Sequence, residues 1–247
     1  MGESTAAPTA AIIVIGDEVL SGKVEEQNAR FLVRELRALG VAVRRIEVIP
    51  DVASAIVASV QSAAAGFDHV FTTGGIGPTH DDVTIPAIAA AFGAKVVRNP
   101  ELADMIRGAT AHEFHERNLR MADVPEGALL LRDPQASCWP VIAIRNVYIL
   151  PGVPSILQRK FAMVRERFRA SPFFSRAVYS RVGEGAIADM LDRAAADFPH
   201  VAIGSYPHIE ATDHKVLITL DGRDKALVDE AFARIVAGLG PALVRAE

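Results

Sequence analysis

The sequence predicts an α/β protein: a mostly parallel sheet with helices on both faces, then a smaller α+β unit. Three observations carry this. Short apolar runs such as 11–15 are too brief for a helix and uninterrupted enough for a strand buried on both faces. Such runs alternate with segments of helical spacing, the pattern of parallel strands joined by crossover helices. After Ser171-Pro172 the order becomes strand, helix, strand, strand, helix, which suits helices on one face of an antiparallel sheet. The two units are therefore placed at 8–170 and 171–247.

The elements follow in order. The run 11–15 closes at Gly16-Asp17-Glu18, and Asn28, Phe31, Leu32, Leu36 and Leu39 follow at helical spacing up to Gly40, a stop signal. Residues 41–49 are extended, and Asp51 is placed as the N-cap of a helix whose apolar face includes Ile56, Val57 and Val60. A strand at 69–71 empties into Thr72-Thr73-Gly74-Gly75-Ile76-Gly77-Pro78-Thr79-His80-Asp81-Asp82, and the apolar run 83–92 predicts the next helix. A short strand is expected around 95–97, then a polar helix capped by Asn99-Pro100 and reaching about Asn118. Arg145-Asn146 between two apolar runs predicts a two-residue hairpin turn, hence an antiparallel addition to the sheet. Pro151-Gly152-Val153-Pro154 forms a second rigid loop ahead of a helix at 155–169. In the second unit strands are expected at 177–182, 201–205 and 215–220, and helices at 185–197 and 225–239.

Composition narrows the function. A formal charge of −4 argues against a general nucleic-acid binder, and the basic run Arg159, Lys160, Arg165, Arg167 and Arg169 reads as a solvated helix face. One cysteine, Cys138, excludes internal disulfides and a Cys-rich zinc site, which fits a reducing cytoplasm. With neither a membrane-spanning apolar stretch nor a signal peptide, the expectation is a cytoplasmic protein that meets no membrane. His112-Glu113-Phe114-His115 spaces its histidines three apart, not the four of a zinc helix, so it is set aside as a metal site.

The chemistry concentrates on the loop after the third strand. Its glycines allow close approach of backbone to a ligand, and amides in such a loop form an anion-binding concavity. Ligands of parallel sheets bind at the carboxyl ends of the strands, and this rule gathers Asp17, Glu18, Asp51, the 73–82 loop and the Pro151-Gly152 loop at one edge. Gly77 is followed by Pro-Thr-His, where a P-loop needs Lys and Ser or Thr. His80 stands where a dinucleotide fingerprint needs its third glycine. ATPase and dehydrogenase readings therefore fail. Carboxylates beside a phosphate site repel the ligand unless a cation bridges them, so Asp17, Glu18, Asp81 and Asp82 are expected to hold Mg²⁺, Mn²⁺ or Co²⁺. The ligand expected is a nucleotide or another phosphorylated small molecule.

Thr-Gly-Gly-Ile-Gly-Pro-Thr-His-Asp-Asp at 73–82 resembles the signature of the MoaB/Mog molybdopterin-binding family. Gly16-Asp17-Glu18-Val19-Leu20-Ser21-Gly22 with Asn28 is similar to its CinA subgroup. The segments 145–154 and Gly204-Ser205-Tyr206-Pro207 resemble most closely the corresponding domain of FAD synthases. The resemblance implies a three-layer α/β/α sandwich assembled as dimers or trimers. It implies a molybdopterin or nucleotide ligand, and metal-dependent cleavage of pyrophosphates such as ADP-ribose or FAD. It carries ligand contacts to Thr73, Gly74, Gly75, Gly77, Pro78, Thr79, Asn28, Pro151 and Gly152, and catalytic roles to Asp51 and Asp82, with Asp81 beside them. The chain departs from the CinA pattern at 133–140 and at Ile156, where many relatives carry an amide-rich segment and a glutamate. Neither the CinA deamidase nor the FAD synthase adenylyltransferase reaction is expected.

Overall fold

The computed structural model describes residues 7–109, 114–132 and 139–247. His112 and Glu113 of the set-aside zinc-like segment, and 133–138 of the segment that departs from the CinA pattern, lie outside them. The chain divides into two compact units, Ala7–Ala170 and Ser171–Glu247.

In the first unit the elements run β1 (Thr9–Ile15), α1 (Asp17–Leu20), α2 (Asn28–Ala38), β2 (Ala42–Ile49), α3 (Ala53–Gly66), β3 (His69–Thr73), α4 (Thr84–Ala91), β4 (Val96–Arg98) and α5 (Pro100–Ala109). After a 3-10 turn at Glu116–Ala122 come β5 (Asp123–Pro125), β6 (Leu129–Leu131), β7 (Val141–Ile144), β8 (Val147–Leu150) and α6 (Pro154–Val164), then a 3-10 turn at Arg165–Phe168. Six strands form one sheet in the order β2-β1-β3-β8-β7-β6. The β2-β1, β1-β3 and β3-β8 pairs are parallel, while β8-β7 and β7-β6 are antiparallel. Arg145, at φ 53°, makes the β7-β8 turn.

The uninterrupted run in β1 is explained by burial on both faces. Ala11, Ile13 and Ile15 join a core with residues of α3, α4 and α5, whereas Ala10, Ile12 and Val14 join a second core with α2 and α6. Side chains alternate along a strand, so a strand covered twice has no position for a polar residue. Phe71, Tyr148, Phe161 and Phe168 pack as an aromatic cluster in the second core, with Phe71 stacked on Tyr148 at 5.3 Å between centroids and edge-on to Phe168 at 5.0 Å. This is the expected three-layer sandwich.

Three local expectations are corrected. The polar helix is described over Pro100–Ala109 and 110–113 lie outside the described residues, but its expected end near Asn118 is instead a 3-10 turn preceded by an extended His115; Asn99 does cap its start, its Oδ1 accepting from the Leu102 N–H at 3.1 Å. Asp51 does not cap α3, which begins after Val52 with no side-chain cap. The basic run is not one solvated face: Lys160 is only 4 % exposed, because it falls in the buried stripe of α6 with Leu157, Phe161 and Val164.

The second unit holds β9 (Phe174–Ser180), a 3-10 turn (Glu184–Ala186), α7 (Ala188–Asp197), β10 (Ala202–Pro207), β11 (Val216–Gly222), α8 (Lys225–Leu239), a further 3-10 turn (Gly240–Ala242) and β12 (Leu243–Ala246). Its antiparallel sheet, ordered β10-β11-β9-β12, is backed by α7 and α8 through a core of Val178, Ile218, Leu220, Val228, Ala231 and Ile235. Asp224 caps α8, accepting from the amides of Ala226 and Leu227. The closing strand β12 was not anticipated. It is short, and half of it is exposed, so it has little apolar signal of its own.

Candidate functional site

Strand order alone locates the site. From β1 the chain passes to β2 on one side and then to β3 on the other, so the carboxyl ends of β1 and β3 flank the point where the sheet reverses its winding. Crevices at such points are where ligands enter open parallel sheets. The register brings the four expected loops level: Ile15 pairs with Ile49, Val14 with Thr73, and Thr73 with Leu150. Each loop therefore leaves the same edge of the sheet.

The glycines of the β3 loop are there because nothing else fits. Gly74 has φ 105°, and a Cβ on it would lie 2.0 Å from the Ile15 carbonyl oxygen. Gly75, at φ 63°, would place a Cβ 2.4 Å from Thr84 Oγ1. Buried Thr84 closes this turn, its hydroxyl donating to the Gly74 carbonyl at 3.0 Å and its N–H to the Gly75 carbonyl at 3.1 Å. Asn28 ties the β3 and β8 loops together: its Nδ2 donates to Thr73 Oγ1 at 2.9 Å and to the Gly152 carbonyl at 2.7 Å, while the Thr73 hydroxyl donates to the Pro151 carbonyl at 2.9 Å.

The carboxylates are used differently from one another. Asp82 turns back into its own loop and accepts the N–H groups of Gly77 at 2.6 Å and Thr79 at 2.8 Å, together with the Thr79 hydroxyl. Asp81 points to solvent with its side chain 67 % exposed, and the nearby Thr79 hydroxyl holds its carboxyl below the usual range. Asp51 accepts the Asp17 N–H at 2.9 Å, a contact that follows from the Ile15–Ile49 pairing two residues earlier. Burial pushes the Asp51 carboxyl up; the Asp17 amide works against this, and the charges of Glu18, Asp17 and Asp81 add to the upward shift. These carboxylates thus stand close enough to repel.

A cavity of about 630 Å3 opens beside the loop. One wall is Gly74, Gly75, Ile76, Gly77 and Asp82, another is the 151–154 loop, and Glu18 stands at its margin. The rest is largely apolar, with Val24, Ile85, Met121, Trp139, Ile142 and Ile156, and with Lys160 among them. Of the expected residues, Gly74, Gly75, Gly77, Asp82, Glu18, Pro151 and Gly152 line this space. Asn28 and Thr73 brace it from behind, and Thr79 holds Asp82. Asp17 and Asp51 form a pair beside it. Lys160 and Trp139 were missed, although the three- and four-residue spacing of Lys160 from Leu157 and Val164 is a helical-face signal that the sequence contains.

Hard oxygen donors that repel one another suit a divalent cation such as Mg²⁺, which takes one or two carboxylates and completes its shell with water and ligand phosphates. Among the described residues no three His, Cys, Asp or Glu side chains converge as a closed metal set. Asp17, Glu18, Asp81 and Asp82, expected as one metal set, thus form no closed cation cage among the described residues.

Together the switch-point crevice, the glycine loop and the acidic margin define a small-molecule-binding α/β domain. The chain belongs to the molybdopterin-binding domain family: residues 11–170 match the family described as "Probable molybdopterin binding domain", and residues 172–247 match "FAD synthase, middle domain". It is 34 % identical to a protein of Archaeoglobus fulgidus over 89 % of this chain and 93 % of that one. It is also 34 % identical to a "Probable FAD synthase" of Caenorhabditis briggsae over 86 % of this chain, and it spans 46 % of that relative's length. Among solved structures, the protein CinA of unknown function from Thermoplasma acidophilum superposes with a TM-score of 0.59 at 28 % identity, covering 66 % of this chain and 98 % of that one. Among the described residues no helix is long and apolar enough to cross a membrane.

Proposed function

We propose that the chain hydrolyses nucleotide pyrophosphates such as FAD or ADP-ribose with the help of a divalent cation. The observation that carries this reading is the meeting, at one switch point, of a tightly turned glycine loop, a margin of carboxylates and a largely apolar cavity large enough for a heteroaromatic ring. In this reading the phosphates meet the loop backbone at Gly75 and Ile76, since the Gly74 and Gly77 amides are given to Leu150 and Asp82, and the apolar wall takes the ring. Asp82 keeps the loop in its binding shape. Asp51, whose carboxyl is pushed up, accepts a proton from the attacking water. Water adds to one phosphorus, the bridging P–O bond breaks, and two monophosphates leave. A bound Mg²⁺, Mn²⁺ or Co²⁺ would supply charge neutralisation at the phosphoryl oxygens, held by Glu18, Asp17 or Asp81.

The test is incubation with FAD or ADP-ribose and each metal, following release of AMP with FMN or with ribose 5-phosphate. Turnover that needs metal and disappears in Asp82→Ala and Asp51→Asn is expected; no turnover with any metal sinks the reading. A second reading, a molybdopterin- or nucleotide-binding protein without chemistry, draws on the lack of three converging metal ligands among the described residues. It predicts ligand affinity unchanged by EDTA, which calorimetry measures. The family resemblance also leads us to propose a dimer or trimer, to be checked by light scattering.

A further inference from the structure

We propose that the outer edge of β10, with the cavity beside it, takes up an extended peptide segment carrying lysine or arginine at alternate positions, as an added strand of the second unit's sheet. The inference is independent of the hydrolase reading.

In the order β10-β11-β9-β12 each outer strand turns a row of main-chain groups away from the sheet. β12 carries Arg245 and a register shift beside it, two features that discourage a further strand. β10, Ala-Ile-Gly-Ser-Tyr-Pro, carries no charge and pairs with β11 without a shift, and Pro207 guards only its last position. Hydrogen-bonded and open pairs alternate along an antiparallel ladder. Ala177 and Glu247 exchange hydrogen bonds across β9 and β12, and the His208 N–H donates to the Lys215 carbonyl. That phase turns the main-chain groups of Ala202, Gly204 and Tyr206 towards β11 and those of Ile203 and Ser205 outwards. These same two residues line a cavity of about 450 Å3, with Leu191 and Asp192 of α7 on its other wall. Glu184 joins the lining and accepts from the Ser205 hydroxyl at 2.6 Å. Among the described residues neither Glu184 nor Asp192 is in an ion pair. Residues paired across two strands share a face of the sheet, so the side chains of an added strand opposite Ile203 and Ser205 lie over this cavity. Two carboxylates there suit an ammonium or guanidinium whose methylenes rest on Leu191 and Ile203. A second copy paired edge to edge would offer the cavity only neutral β10 side chains and bring two more carboxylates to the same seam.

The test is fluorescence anisotropy of the full chain with a labelled, end-capped hexapeptide alternating threonine and lysine. This peptide should bind, and the same peptide with glutamate for lysine should not. Methylating the lysine amide nitrogens removes the hydrogen bonds to β10 but keeps the charge, and should weaken binding about tenfold or more. Glu184→Gln combined with Asp192→Asn keeps an acceptor for the Ser205 hydroxyl; it should weaken binding about 10- to 100-fold with the melting temperature little changed. No binding of the lysine peptide overturns the inference. Binding that methylation leaves unchanged overturns it too, since charge alone would then hold the peptide, and so does equal affinity for spermidine, the mark of a small-cation site. A wild-type oligomer that Ser205→Pro dissociates, seen by light scattering, would put a second copy on this edge and sink the proposal. The peptide comparisons use the wild type, so they decide the matter even if Ser205→Pro does not fold.

Discussion

Replacing Gly74 by alanine tests the claim that the loop is pinned against the sheet. Two costs act there. A side chain at φ 105° is strained, by about 1–3 kcal/mol. The new Cβ would stand 2.0 Å from the Ile15 carbonyl oxygen, a backbone atom held in a strand, so loop or sheet must move. Displacing packed groups adds about 1–3 kcal/mol. The sum, about 2–6 kcal/mol, is a large part of the roughly 5–15 kcal/mol that holds a domain together. Gly93→Ala is the control. It shares a positive φ of 66°, but nothing lies within 4 Å of its Cβ, so it bears the conformational cost of about 1–2 kcal/mol alone. Urea denaturation of both variants at constant m separates the terms. Gly74→Ala should lie below Gly93→Ala by at least about 1 kcal/mol and should lose ligand affinity as well. If the two variants match, or if Gly74→Ala is the milder, the close approach of the β3 loop to Ile15 is wrong.

Two further outcomes are expected. Asp51 has a native pKa above its unfolded value, so the folded chain holds that proton more tightly, and stability falls as pH rises from about 3.9 through the raised native value. Asp51→Asn keeps an oxygen for the Asp17 N–H and removes this decline; in EDTA its melting temperature should exceed that of the wild type near neutrality and match it in acid, and superimposable pH profiles would refute the upward shift that burial and the neighbouring charges impose on Asp51. Asp82→Ala frees the Gly77 and Thr79 amides, so hydrogen exchange at these two positions should quicken by about tenfold or more. Unchanged exchange would show that the loop does not depend on Asp82.

Much of the architecture is written in local chemistry. Burial on both faces leaves an uninterrupted apolar run in β1, and two-sided cover is what a central parallel strand requires. The glycines at 74, 75 and 77, the hairpin at Arg145-Asn146 and the caps at Asn99 and Asp224 are likewise local, because each answers a backbone demand within a few residues. Which carboxylate does what is not local. Asp51 looks like a helix cap, yet its partner is the Asp17 amide 34 residues away, supplied by the pairing of Ile15 with Ile49. Asp81 and Asp82 are neighbours of identical chemistry, and only the fold of the loop sends one to solvent and the other onto two amides. Lys160 sits in a run of charges that reads as surface, and only the packing of α6 against the sheet puts its ammonium in the cavity wall. The sequence by itself therefore determined the layers of the first unit and the loop at which they open. The tertiary structure decided the partners within that opening, because strand register and helix packing join residues far apart in the chain, which periodicity and spacing do not record.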